Sequence, residues 1–287
     1  MSENPMPELP EVETTRKGLI PALVGETFSK VDVRSSGLRF PFPRNLSSKI
    51  QNRRVISINR RAKYLLICLE GDLVLLIHLG MSGRMRVFIK GDKIPPIDKH
   101  DHLIFRTLCG TEVRFNDARR FGALDLVSAK KLNTHPLICD LGPEPLSESF
   151  NGTLLAERII EKKTNIKAAL LDQKTIAGIG NIYACEALYY ANLSPRRAAY
   201  TIQGKRADRL ASSIQGVLKA AIKAGGSSLR DFRQSDGGLG YFQHQFAVYG
   251  REGELCPRCK AANHNQGCVN RTVQNGRSTF YCSCWQR

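Results

Sequence analysis

The segment Met6-Pro7-Glu8-Leu9-Pro10-Glu11-Val12-Glu13 places a proline directly behind a methionine and three carboxylates in the six residues that follow. If translation starts at such a methionine and the methionine is then removed, the proline carries a free secondary amine. That amine is a nucleophile able to form an iminium ion with an aldehyde, and a neighbouring carboxylate such as Glu8 can move protons at the same centre. An internal proline has an amide nitrogen with no proton and no such reactivity. The chemistry therefore requires the chain to begin functionally at Pro7. Without it, the segment is a proline-led helix entry with Glu11 and Glu13 in the first turn, where carboxylates suit the helix dipole.

A second cluster lies at the other end. Of nine cysteines, five (Cys256, Cys259, Cys268, Cys282, Cys284) fall in the last 32 residues. Such clustering suggests a metal before disulfides. The other four, Cys68, Cys109, Cys139 and Cys185, are scattered singly and read as small buried hydrophobes. A structural zinc site wants two Cys-x2-Cys knuckles around one tetrahedral ion. Cys256-Pro257-Arg258-Cys259 is one of them, but the second stretch reads Cys282-Ser283-Cys284-Trp285. Neighbours in an extended segment face opposite sides. Cys284 therefore serves as fourth ligand only if the loop distorts, and Cys268 and His264 are the alternatives, as is a weakly held or absent ion.

Between these ends lie several stretches with chemical potential. Arg60-Arg61-Ala62-Lys63-Tyr64 puts cations at the mouth of an apolar strand. His78-Leu79-Gly80-Met81-Ser82-Gly83 closes another strand in a glycine-rich turn, and Asp117-Ala118-Arg119-Arg120-Phe121-Gly122 offers an arginine beside an aromatic ring. An enzyme that extrudes a nucleotide needs such parts, an apolar wedge and a cation to fill the gap. His100 and His102 lie close together, but no third ligand is near in sequence, so a metal there is rejected. Gly178 and Gly180 allow a tight turn before a helix, with Asn181 where an N-cap belongs. A phosphate could sit at that helix start. Gln234-Ser235-Asp236-Gly237-Gly238-Leu239-Gly240-Tyr241-Phe242 reads as a mobile loop.

The elements that must position these residues fall into two patterns. A helical stripe over 11–23 is followed by strand-like segments at 27–34, 55–59, 64–69, 73–79, 84–89, 103–108, 112–115 and 124–127, with turn signals between them. Helical patterns then cover 152–163, 166–172, 182–191 and 204–224. The expected fold class is α+β: an antiparallel β-sandwich led by a helix over 6–140, a stiff proline-rich linker at 141–148, a helical domain over 149–249 and a finger-like hairpin over 250–287.

With 287 residues and 42% hydrophobic content, the chain can bury two cores. No apolar run is long enough to span a bilayer, and MSENPMPELPE lacks the charged and apolar regions of a secretory signal, so a cytoplasmic location and no membrane partner are expected. The net charge of +17 favours a polyanionic partner bound in a salt-dependent way. Nothing in the sequence signals more than a monomer.

Met6–Glu13, Arg60–Leu66, His78–Gly83, Asp117–Gly122, 166–183 and 276–282 together resemble segments of the bacterial formamidopyrimidine-DNA glycosylases, in order along nearly the whole chain. The resemblance implies excision of oxidised purines from double-stranded DNA and abasic-site lyase activity by β,δ-elimination through an N-terminal proline. Pro7 would be the nucleophile, Glu8 the proton carrier, Lys63 an assistant at the DNA backbone, and Arg277 the phosphate contact that helps the final elimination. His78, Met81, His100, Arg119, Phe121, Lys162 and Asn181 would contact DNA, with 166–183 as a helix–two-turn–helix clamp and the 234–242 loop over the everted base. One structural Zn2+ would be held by Cys256, Cys259, Cys282 and Cys284. Two alternatives stay open. One is an oxidised-pyrimidine glycosylase of the same superfamily, whose N-terminal wording is usually closer to MPEGPE. The other is a non-catalytic lesion-DNA-binding protein, should residues 1–6 be retained.

Overall fold

The computed structural model describes residues 6–227, 240–264 and 266–287. They cluster into two compact units, one of 6–139 with the described part of 224–241, the other of 140–223 and 242–287.

The first unit begins with helix α1 (Leu9–Leu23), entered through Glu8 as N-cap and Pro10 in the first turn. Strands β1 (Phe28–Val33), β6 (Asp101–Thr107), β7 (Glu112–Asn116) and β5 (Arg84–Phe88) form one antiparallel sheet in the order β1-β6-β7-β5. β2 (Val55–Arg61), β3 (Tyr64–Leu69), β4 (Leu73–His78) and β8 (Ala123–Ser128) form a second in that sequence order. Period-two alternation sends Leu65, Ile67, Leu75 and Ile77 of one sheet against Phe28, Val31, Phe105, Val113 and Phe115 of the other, and α1 adds Val12, Leu19 and Leu23 to the same core. Fully burying a side chain of this kind contributes about 1.5–3 kcal/mol. Gly71 and Asp72 both take positive φ, the backbone of the tight turn that joins β3 to β4. A short helix, α2 (Leu46–Ile50), has no counterpart in the sequence reading, because five residues are too few to show a period.

The second unit is helical. Helices α3 (Gly152–Ile159) and α4 (Ile166–Leu171) start at Asn151 and Asn165, whose side chains accept from Leu154 N and Ala168 N. α5 (Asn181–Tyr190) is apolar nearly all round and buried, so α4, α6 (Lys205–Lys223) and the terminal hairpin pack around it. α6 turns Ala207, Leu210, Ala211, Ile214, Val217, Leu218 and Ala221 inward at helical spacing. The hairpin of β9 (Val269–Gln274) and β10 (Arg277–Cys282) follows the short helix α7 (Pro257–Ala261). No helix among the described residues is long and apolar enough to cross a membrane.

Three expectations change. The stretch at 141–148, expected as a separate stiff linker, is part of the helical unit, where Gly142 N donates to the Gln173 carbonyl at 2.8 Å and Pro143 O accepts from Ala177 N at 3.1 Å. Residues 224–227 and 240–241, expected inside the helical domain at 149–249, belong with the β-sandwich unit because Glu11 binds Ser227 there. Among the scattered cysteines only Cys185 is buried, while Cys109 and Cys139 are exposed.

Candidate active site, nucleic-acid contacts and metal centre

Pro7 and Glu8 are both buried immediately before α1. Glu11 Oε2 accepts from Glu8 N at 3.0 Å, half of a capping box that fixes the backbone carrying both residues. The other oxygen of Glu11 accepts from Ser227 N at 2.8 Å and Ser227 Oγ at 3.0 Å. Gly226 has φ +79, and a Cβ there would stand 3.1 Å from that same oxygen, so a glycine permits the approach. Two residues further along the same helix, Glu13 binds Arg16 at 2.7 Å and Arg60 at 3.0 Å. Burial opposes the charge of Glu13, but the two guanidiniums hold its carboxyl below the usual range. Arg60 in turn donates to Ala62 O at 3.0 Å, bracing the β2–β3 turn in which Ala62 has φ +52 and Lys63 is buried.

His78 ends β4 opposite Tyr64, its ring 4.9 Å from the tyrosine ring. Its Nδ1 accepts from Gly80 N at 3.0 Å. Burial, with Lys63 and Arg39 nearby, pulls its pKa from 6.5 to about 4, so the ring is neutral at ordinary pH.

The two turns expected to enter DNA abut. A Cβ on Gly80 would lie 2.4 Å from Gly122 N, and the Arg119 guanidinium sits 5.0 Å over the Phe121 ring. Phe121 is 46% exposed and Arg119 is exposed, whereas Met81 and His100 are half-buried. Asp117, fully buried, ties these loops together. Its carboxylate accepts from Ser82 Oγ and from Gly122 N, and its backbone N donates to His100 O at 3.0 Å. Sequence reasoning quoted Asp117 within the motif but gave it no role.

In the second unit, α5 begins one residue earlier than expected. Gly180 is its N-cap, and Asn181 is the first helical residue. Asn181 Nδ2 donates to Ser278 O at 2.9 Å, while its buried Oδ1 has no hydrogen-bond partner among the described residues. Gln173 braces the turn, donating to Ile179 O and accepting from Gly178 N at 2.8 Å. Lys162 is ion-paired with Asp172 at 2.8 Å. Lys167, fully buried and not singled out from the sequence, donates to Ser278 O at 3.0 Å and Thr279 Oγ1 at 2.7 Å. Arg277 stands exposed beside them, just after the Asn275-Gly276 turn, whose two positive φ angles suit a two-residue hairpin. Of the 234–242 loop, 234–239 lie outside the described residues.

The cysteines assemble differently from expectation. Cys256, Cys259, Cys268 and Cys282 are all buried, with sulfurs within 4.8 Å of one another. Cys284 is not one of this tetrad, although its sulfur lies within 4.8 Å of Cys259 Sγ and of the exposed His264. The physical reason is the end of the strand: Cys282 faces inward as its last residue, and Cys284 lies in the turn over 283–285, closed where Gln286 N donates to Cys282 O at 3.1 Å.

Known proteins resemble this chain in sequence and fold. The family model described as formamidopyrimidine-DNA glycosylase N-terminal domain matches residues 6–124, and the one described as its H2TH domain matches 141–233. The chain is 52% identical to the formamidopyrimidine-DNA glycosylase of Beijerinckia indica, over 98% of this chain and all of the relative. The crystal structure of the MutM (Fpg) protein from Thermus thermophilus is 41% identical, covers 98% of both chains and has a TM-score of 0.84. Lactococcus lactis Fpg, solved with DNA containing an abasic site and with DNA containing N7-benzyl-Fapy-dG, is 31% and 32% identical. In both complexes the match covers 98% of this chain and 100% of that one, with a TM-score of 0.86. Matched in both halves and along nearly its full length, the chain belongs to the formamidopyrimidine-DNA glycosylase family.

Proposed function

We propose that this chain removes oxidised purines such as 8-oxoguanine and formamidopyrimidines from duplex DNA and then cleaves the strand at the abasic sugar. The observation that carries this reading is the pairing of Pro7 and Glu8, buried side by side at the entry to α1 and fixed by the Glu11 capping box. The family match begins at residue 6, in keeping with a functional start in which Met6 is removed and the Pro7 amine is free.

In this mechanism the Pro7 nitrogen attacks the sugar C1′ and the glycosidic electron pair leaves with the base, which takes up a proton. The sugar ring opens to the iminium, with Glu8 moving protons at that centre. Abstraction of the C2′ proton expels the 3′ phosphate, and a second elimination expels the 5′ phosphate. Hydrolysis then returns the free amine. Lys63 acts at the DNA backbone beside the lesion, and Arg277 holds phosphate during the last elimination. Met81, Arg119 and Phe121 fill the space left by the everted nucleotide, which stabilises the unstacked duplex. His78, His100, Lys162 and Asn181 hold the backbone. A structural Zn2+ bound by the buried cysteines would cross-link the base of the hairpin that presents Arg277.

Borohydride trapping on a duplex carrying 8-oxoguanine, with the protein expressed from its native start region and the adduct peptide mapped by mass, tests the reading. A covalent adduct on Pro7 is expected. Lesion binding without any adduct would instead mark a non-catalytic binder. Faster release of an oxidised pyrimidine than of 8-oxoguanine would shift the substrate class.

A further inference from the structure

The four buried sulfurs assign a ligand set that the motif spacing does not. Resting on the reading that a zinc ion is held here, we propose that Cys268 supplies the fourth thiolate, completing a site of Cys256, Cys259, Cys268 and Cys282, with Cys284 outside it.

The distances fit an ion. Four thiolates about 2.3 Å from one tetrahedral zinc lie roughly 3.8 Å apart. Cys256 Sγ is 3.6 Å from Cys282 Sγ, and Cys259 Sγ is 3.7 Å from Cys282 Sγ. Cys268 joins them through the fold rather than through a knuckle. It precedes β9, whose first residue Val269 is paired with Cys282, and its carbonyl accepts from Ser283 N at 3.1 Å. Glu254 O accepts from both Cys268 N and Val269 N at 3.1 Å. A Cβ on Gly267 would meet Gly253 O at 1.8 Å, so only a glycine lets the chain come that close. Cys256 N donates to Cys268 Sγ at 3.4 Å, as Cys259 N does to Cys256 Sγ, and N–H groups aimed at sulfur suit thiolate ligands.

Trp285 fills the position at which a second Cys-x2-Cys would place its sulfur. Its indole Nε1 donates to Cys259 Sγ at 3.2 Å, so it supports a ligand instead of being one. Cys284 Sγ lies 3.8 Å from His264 Nδ1. That pair shares Cys259 with the tetrad and adds only a half-buried and an exposed group, three ligands in all. The buried tetrad is complete without it. Binding Zn2+ at the tetrad releases the four thiol protons to solvent.

The test uses the full chain as purified, with zinc measured by elemental analysis and affinity by competition with a chelator. Wild type is expected to carry about one zinc per chain, with Cys284→Ser and His264→Ala unchanged and Cys268→Ser weakened at least roughly a hundredfold. Cobalt(II) loaded into wild type and Cys284→Ser should give the same four-thiolate spectrum. As Cys268→Ser can fail to fold, iodoacetamide labelling of zinc-loaded wild type provides a second measure. Cys284 should be alkylated and Cys268 protected. Loss of zinc in Cys284→Ser, or alkylation of Cys268 with Cys284 protected, would overturn the assignment. A wild-type protein with neither zinc nor affinity for it would instead remove the zinc reading on which the assignment rests.

Discussion

Glu13 accepts from the Arg60 guanidinium at 3.0 Å, with both side chains almost out of solvent, and Arg60 donates onward to the Ala62 carbonyl at 3.0 Å. The helix that Pro7 and Glu8 lead into is thereby braced against the turn that carries Lys63. Arg60→Ala would cost Glu13 one of its cations and remove the Arg60 hydrogen bond to the Ala62 carbonyl. The expected loss of unfolding free energy is about 2 kcal/mol, read from urea denaturation. Excision should slow at unchanged non-specific DNA affinity. Full activity in a destabilised variant would show that the brace serves folding alone.

Glu8→Gln keeps the size of the side chain and removes its ability to exchange protons. General acid–base catalysis of this kind contributes roughly 10²–10⁴ in rate. Single-turnover release of 8-oxoguanine should fall in that range, while borohydride trapping on a preformed abasic site persists, because the Pro7 amine is untouched. Equal loss in both assays would mean that Glu8 only caps the helix.

His78 accepts from Gly80 N through Nδ1, so the neutral ring carries its proton on Nε2. With the native pKa near 4 and the ordinary value at 6.5, the unfolded chain binds the proton first as pH falls. The stabilisation from neutral His78 is therefore fully present above about 6.5 and drains away between there and about 4. NMR titration of the ring should show a midpoint near 4, and Lys63→Met, which removes a nearby cation, should move it upward. A midpoint at 6.5 in the wild type would contradict the burial that the fold imposes.

The sandwich was legible in the alternation of residues such as Leu65, Ile67, Leu75 and Ile77, because one buried face leaves a period of two in the sequence. The Pro7-Glu8 pair and the turns bearing Met81 and Arg119 were legible as local wording. What stayed hidden depends on contacts between distant residues. Glu11 reaches Ser227 across 216 positions, which is why 224–227 was grouped with the wrong unit. Asp117 ties three loops through its carboxylate and backbone, a role that no local pattern displays. Asn181 moved from cap to first helical residue because Gly180 takes the cap conformation. Cys268 has no Cys-x2-Cys neighbour, so it reaches the other cysteines through the pairing of Val269 with Cys282 and the hydrogen bond of its N to the Glu254 carbonyl.

Lys167 and Asn181 both donate to the carbonyl of Ser278, one residue from Arg277, although Lys167 lies 111 positions away in the chain. A buried ammonium is costly to desolvate, but removing it alone strips a donor from the buried groups it serves, which costs about 1–3 kcal/mol. Lys167→Met should therefore lose about 1–3 kcal/mol of stability, release the Thr279 hydroxyl and loosen the strand that carries Arg277. If Arg277 assists the second elimination, the variant should still cut abasic DNA but stall after the first step. Gel analysis would show the 3′-unsaturated aldehyde at the expense of the 3′-phosphate. Zinc content should not change, since none of the four buried cysteines contributes to the Lys167 hydrogen bonds with Ser278 and Thr279. An unchanged product ratio would separate Lys167 from the placement of Arg277, and a stability loss of several kcal/mol would make its ammonium part of the fold's own support.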